Sequence, residues 1–179
     1  MTAKPAFQCF TCSTDRPIPR INGYDWVCEA GSGFGDRFIN ALIPYVDENY
    51  RTLTDRANRS IGGLSRGGGW AVQIGFEHPD LFGAMGLHSP AIFKDNAPYL
   101  DMIIKATPEE NHPRLWIDIG DADMELSRAL LFEEILTQNS YIHEFHLYSG
   151  DHTETYWSAH VDEYMLWYVK QWQKEPTEQ

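Results

Sequence analysis

Basic residues are scarce in this chain. Its 179 residues carry 14 Lys and Arg against 26 Asp and Glu, a net charge of −12. Such a surface repels a nucleic-acid backbone, and no basic cluster offsets it, so no nucleic-acid partner is expected. Long apolar runs are missing as well. None approaches the roughly 20 residues of a membrane span, so no membrane partner is expected either. Met1 to Phe10 lacks the basic end and apolar run of a signal peptide, which makes the cytoplasm the expected compartment. Cysteine is limited to Cys9, Cys12 and Cys28. Cys9-Phe-Thr-Cys12 has metal-knuckle spacing, but a four-ligand site needs a second pair that Cys28 alone does not supply. Neither metal nor other cofactor is expected, and the thiols read as free in a reducing compartment. Repeats and low-complexity tracts are absent.

What is present suits one soluble globular domain. Hydrophobic residues make up 42% and charged residues 22%, both ordinary values, and the length allows a sizeable core. Residues 1–35 are punctuated by Pro5, Pro17, Pro19, Gly23, Gly31, Gly33 and Gly35 and read as an irregular segment, with short extended pieces at 7–10 and 24–28. Over 36–50, Phe38, Ile39, Leu42, Ile43, Val46 and Tyr50 fall near a 3.6-residue period, so a helix is expected, with Asp36 as its N-cap and Pro44 bending or restarting it. Beyond it, strands at 58–64, 82–88, 115–119 and 142–148 alternate with helices at 67–77, 98–106, 127–138 and 155–173. That alternation predicts an α/β fold: a mainly parallel sheet between helical layers, with chemistry at the C-terminal strand ends.

The most informative stretch is Ser60-Ile61-Gly62-Gly63-Leu64-Ser65-Arg66-Gly67-Gly68-Gly69-Trp70. A strand pattern runs into Gly-x-Ser-x-Gly and a helix pattern follows, the context in which this motif is a nucleophile elbow. The turn is tight, which accounts for Gly63 and Gly67 on either side of Ser65. Ser65 becomes the candidate nucleophile, and the backbone N–H of Arg66, at the helix N-terminus, the candidate oxyanion donor.

A serine hydroxyl needs a base within hydrogen-bond reach and a third group to orient that base. The order serine, acid, histidine is expected after an elbow of this type. Gly120-Asp121-Ala122-Asp123 follows a strand and offers two acids, Asp121 and Asp123, of which Asp123 is preferred. Asp118, inside the strand, is assigned a local structural role. Gly150-Asp151-His152 follows the last strand and makes His152 the candidate base. His143 and His146 are three apart on a strand and point to opposite faces, which argues against a two-His metal site. His88, at a strand end before the acid loop, is expected to line the pocket, with Tyr156 and Trp157 completing an aromatic mouth.

Several of these segments together resemble the esterase D and feruloyl-esterase-like branch of the α/β-hydrolases. They are Leu42-Ile43-Pro44-Tyr45-Val46-Asp47-Glu48-Asn49-Tyr50-Arg51-Thr52, the elbow, His78-Pro79-Asp80-Leu81-Phe82-Gly83-Ala84, Ser89-Pro90, and Gly150-Asp151-His152 with Tyr156-Trp157. The resemblance spans about residues 36–172 and implies a carboxylic ester hydrolase working through an acyl-enzyme. Its Gly-x-x-Asp acid is here Gly120 to Asp123. It also implies a domain at 36–179 that is a truncated α/β-hydrolase. Members of that branch begin with further strands, one ending in a His-Gly-type loop that supplies a second oxyanion N–H, whereas residues 1–35 contain no histidine. The edge of the elbow strand would then be open. Three covers are open: residues 5–30 fold over it, a second copy pairs with it, or the chain is part of a larger protein; cover by the N-terminal segment together with homodimerisation is the expectation. Two functions follow: hydrolysis of a small-molecule ester, or a non-catalytic module that binds a ligand or partner chain.

Overall fold

A computed structural model describes residues 34–92 and 97–170. The sequence readings for residues 1–33, including the three cysteines and the short extended pieces, lie outside the described residues. The chain divides into two compact units at Thr52 and Leu53.

The described part of the first unit is one helical stretch in three pieces: α1 (Phe34–Arg37), a π-helical turn (Phe38–Leu42) and α2 (Ile43–Asn49). Phe34 and Gly35 before it are already helical, which places Asp36 inside the helix and not at the N-cap. Pro44 sits in the first turn of α2, where its missing N–H is tolerated. The residue before it, Ile43, donates its N–H five residues back to the Phe38 carbonyl. The helix therefore widens at the restart expected from Pro44. Phe34 stacks on Phe38, with ring centroids 6.1 Å apart, and the Thr52 hydroxyl donates to Asp47 Oδ1 at 2.8 Å.

The second unit holds β1 (Ser60–Leu64), α3 (Arg66–Glu77), β2 (Ala84–His88), α4 (Ala97–Ala106), β3 (Arg114–Gly120), α5 (Leu126–Gln138), β4 (Glu144–Tyr148) and α6 (Glu154–Val169). The strands form one sheet in the order β1-β2-β3-β4, every pair parallel. Gly62, Gly86, Trp116 and Glu144 lie in register across it. β1, β2 and β4 each start two residues later than the sequence pattern suggests, so that Phe82, though buried, precedes β2, whereas β3 is longer than expected by one residue at each end.

Side-chain alternation along the strands gives each face its own partner. Ile61, Met85, Leu87, Leu115, Ile117 and Ile119 form one buried face. Gly75 of α3 lies on it so closely that an added Cβ would meet the Met85 sulfur and Ile61. Phe76 of α3 packs edge-on to Phe132 of α5, and Tyr99 of α4 donates to Glu77 of α3 at 2.6 Å, so α3, α4 and α5 form one layer. The opposite face belongs to α6. Its Tyr168 hydroxyl lies over Gly62 and Gly86, where a Cβ would come within 1.9 Å, and its Trp167 packs on Trp116 and Ala84. The result is the three-layer α/β/α arrangement, with all four strand C-termini gathered at one end.

Candidate active site

Ser65 is the first residue past β1 and has φ 51° and ψ −116°. A non-glycine residue with positive φ is strained and persists only where its surroundings hold it. Here they do. The Ser65 N–H donates to the His88 carbonyl at 2.9 Å, and its own carbonyl accepts from Ala91 at 2.9 Å and Gly69 at 3.1 Å. The close contact of the turn falls at Gly63, whose added Cβ would come 2.5 Å from the Gly67 carbonyl carbon, and at Gly68, which faces Pro90 at 2.9 Å. At Gly67 itself nothing lies within 4 Å. The expectation that both glycines flanking Ser65 are sterically required therefore holds only for the first.

The acid loop leaves β3 through Gly120, and the histidine loop leaves β4 through Gly150. The two touch: a Cβ on Gly120 would lie 2.3 Å from the Gly150 carbonyl oxygen. Backbone bonds from Asp121 to the Tyr148 carbonyl and from Ala122 to the Gly150 carbonyl, each 2.8 Å, pin them together. Asp121 turns its carboxylate to the Gly150 N–H at 3.0 Å. Asp123 instead faces His152. Its side chain is fully buried, both its oxygens lie 2.9 Å from His152 Nδ1, and Oδ1 also accepts from the Glu125 N–H at 2.8 Å. His152 Nε2 is 2.8 Å from Ser65 Oγ. A proton on Nδ1, donated to Asp123, leaves the Nε2 lone pair facing the serine hydroxyl. Ser65, His152 and Asp123, from three separate strand ends, thus lie in one hydrogen-bonded line.

Trp157 stands edge-on to His152, centroids 5.0 Å apart, and its Nε1–H donates to the buried Ser89 Oγ at 3.0 Å. His88 and Tyr156 occupy a different place from the mouth expected of them. Each is only 4% exposed, and both direct polar atoms to Asp118, beneath the site. Strand register explains this: His88 and Asp118 are paired positions on neighbouring strands and face α6 together. Burial, reinforced by the Asp118 carboxylate, pushes the Tyr156 hydroxyl well above the ordinary phenol range. In Tyr164 the same two causes act the same way. Arg66 opens α3 and leaves its backbone N–H at the helix N-terminus, next to Ser65. Among the described residues, no three His, Cys, Asp or Glu side chains gather into a metal-holding group.

The family model described as "Putative esterase" matches residues 33–168. The chain belongs to this esterase family. It is 25% identical over 133 residues to the uncharacterized protein YjcH of Bacillus subtilis, covering 68% of the chain and 54% of that protein. In fold it is similar to a ferulic acid esterase (TM-score 0.67, 23% identity, 76% of this chain and 61% of that one). It is also similar to the S-formylglutathione hydrolase FrmB of Staphylococcus aureus (TM-score 0.70, 22% identity, 79% and 63%). The chain therefore spans a little over half to about three fifths of these proteins and shares their α/β-hydrolase-like fold over that part. Among its described residues, no helix is long and apolar enough to cross a membrane.

Proposed function

We propose that residues 36–179 form a catalytic domain that hydrolyses carboxylic esters through Ser65, His152 and Asp123. The observation that carries this reading is the continuous line from Asp123 through His152 to Ser65 at 2.9 and 2.8 Å. Ser65 Oγ attacks the ester carbonyl carbon while its proton passes to His152 Nε2. The Arg66 N–H receives the developing oxyanion. Collapse breaks the bond to the alkoxy group, which leaves with the proton from His152, and a Ser65 acyl ester remains. Water, deprotonated by the same imidazole, then releases the acid. Asp123 holds the imidazole orientation and balances its positive charge. Acid–base catalysis of this sort contributes about 10²–10⁴-fold, and an oxyanion donor about 10²–10³-fold. Trp157, beside His152, is the aromatic wall for the substrate. Because a ferulic acid esterase shares the fold, aryl-acid esters are the substrates to try first.

Stoichiometric burst release from a p-nitrophenyl ester, lost in Ser65→Ala, is the expected result. Ligand binding with turnover unaffected by Ser65→Ala would instead favour a non-catalytic binding module. The proposal extends to self-association. Gly62 and Leu64 of β1 are exposed, Leu64 by 42%, and among the described residues no strand pairs with β1 on the side away from β2. Such an edge offers backbone donors and acceptors to a second copy.

A further inference from the structure

Asp118 is fully buried in β3 and takes no part in the line from Asp123 to Ser65. Its Oδ1 accepts from His88 Nδ1 at 2.5 Å and Trp116 Nε1 at 3.0 Å. Its Oδ2 accepts from the Tyr164 hydroxyl at 2.7 Å and the Tyr156 hydroxyl at 3.0 Å. A carboxylate taken out of water needs such donors in place of its hydration shell. What distinguishes this one is where the donors come from. His88 ends β2, and its carbonyl accepts the Ser65 N–H at 2.9 Å, so it holds the strained nucleophile turn. Asp118 itself lies on the strand that runs into Asp123, and its carbonyl accepts the N–H of Ser89, the partner of Trp157, at 2.8 Å. Tyr156 lies four residues after His152, in the opening turns of α6, and Tyr164 lies two turns further on the same helix face.

We infer that Asp118 is a positioning residue for the esterase reaction: one buried carboxylate bonds to His88, whose carbonyl holds the Ser65 turn, and to two tyrosines of α6, the helix that follows His152, and it sits on the strand that runs into Asp123. The inference rests on the reading of those three residues as the reacting set. Asp118 touches no substrate. It fixes the start of α6 relative to the ends of β2 and β3, and with it the reach of His152. Misplacing a reacting group by about 1 Å can cost on the order of 10²-fold, so loosening this anchor acts on the rate and not on substrate affinity.

The test uses the full chain and p-nitrophenyl acetate. Tyr156→Phe and Tyr164→Phe each remove one donor and keep the aromatic packing; Asp118→Asn removes the charge, and the tyrosine variants carry the test if it does not fold. Arg114→Ala is the comparison. The Arg114 guanidinium holds the far end of α6 through the Trp167 carbonyl at 2.7 Å and is not among the four side chains that donate to Asp118. The expected result is a kcat lower by about 10- to 100-fold in Tyr156→Phe with KM unchanged within twofold, on folded protein. Fluorophosphonate labelling of Ser65 should slow by the same factor. Arg114→Ala should lower Tm and leave kcat unchanged. If kcat follows only the folded fraction in all variants, or Tyr156→Phe labels at the wild-type rate, the positioning role is overturned while the reading of Ser65 stands. If Ser65 of the folded wild-type chain takes no label, both fall together.

Discussion

Replacing Gly63 by alanine strikes the elbow at its closest contact. The added Cβ would lie 2.5, 2.7 and 2.8 Å from the carbonyl carbon, oxygen and Cα of Gly67, all backbone atoms. Ordinary contacts begin at 3.4 Å, so the turn must open by about 0.9 Å. Gly63 is held in β1 by its pairing with Leu87, so the first turn of α3 has to move. That turn begins with the Arg66 N–H, directly after Ser65. Overpacking of this kind costs about 1–3 kcal/mol. A displacement near 1 Å costs on the order of 10² in rate, or about 2.7 kcal/mol at roughly 1.36 kcal/mol per decade. The assay is kcat/KM on a p-nitrophenyl ester together with thermal unfolding, with Gly67→Ala measured beside it. A Cβ added at Gly67 would meet no heavy atom within 4 Å beyond its chain neighbours and its own helix backbone, so alanine there should fold at least as stably as glycine. In a helix it gains up to about 1 kcal/mol. The reasoning fails if Gly63→Ala keeps kcat/KM within twofold of the parent, or if Gly67→Ala proves the more destabilised of the two.

Further predictions separate the two acids, the buried tyrosines and the open edge. Asp123→Ala should lower kcat by about 10³–10⁴-fold. Asp121→Ala loses a single bond to Gly150 and should lower kcat by less than about 10-fold at a stability cost of roughly 1 kcal/mol; steady-state kinetics with the order reversed would refute the assignment. Burial holds the hydroxyls of Tyr156, Tyr164 and Tyr168 above the ordinary phenol range, and burial with Glu163 pushes Tyr148 up to about 12. Above about pH 10 the unfolded chain releases tyrosine protons that the native chain keeps, so the native state binds more protons and stability falls as pH rises. Absorbance at 295 nm should leave four of the nine tyrosines un-ionised well above pH 10 while circular dichroism still records folded protein; all nine ionising near pH 10 in folded protein would contradict this. Sedimentation should find a dimer that Leu64→Lys dissociates, and a monodisperse monomer would count against pairing through β1.

The order of elements was legible because local signals agreed with the global pattern. The apolar run, Gly-x-Ser-x-Gly and small-residue helix that mark β1 and α3 need no knowledge of neighbouring strands. Asp121 and Asp123 could not be separated in this way. Both follow Gly120, and only the packing of the Gly120 turn on Gly150 turns one carboxylate to a backbone amide and the other to His152. His88 was misplaced for a related reason. A histidine at a strand end looks like a pocket residue, but which face it takes depends on register, and register sets it beside Asp118 under α6. Asp118 did carry a signal, as an acid in the middle of an apolar strand. Its four donors come from residues up to 46 positions away, beyond any local pattern. The π-helical turn before Pro44 escaped notice because widening one turn leaves the apolar period nearly intact.

The central claim is that Ser65 is a nucleophile activated by His152. Mass spectrometry of the folded chain after exposure to a fluorophosphonate, with peptide mapping, tests it most directly. The account predicts a single adduct on Ser65, absent in Ser65→Ala and much slower to form in His152→Ala. An unmodified Ser65 after prolonged exposure, or labelling that proceeds at the same rate without His152, would contradict it.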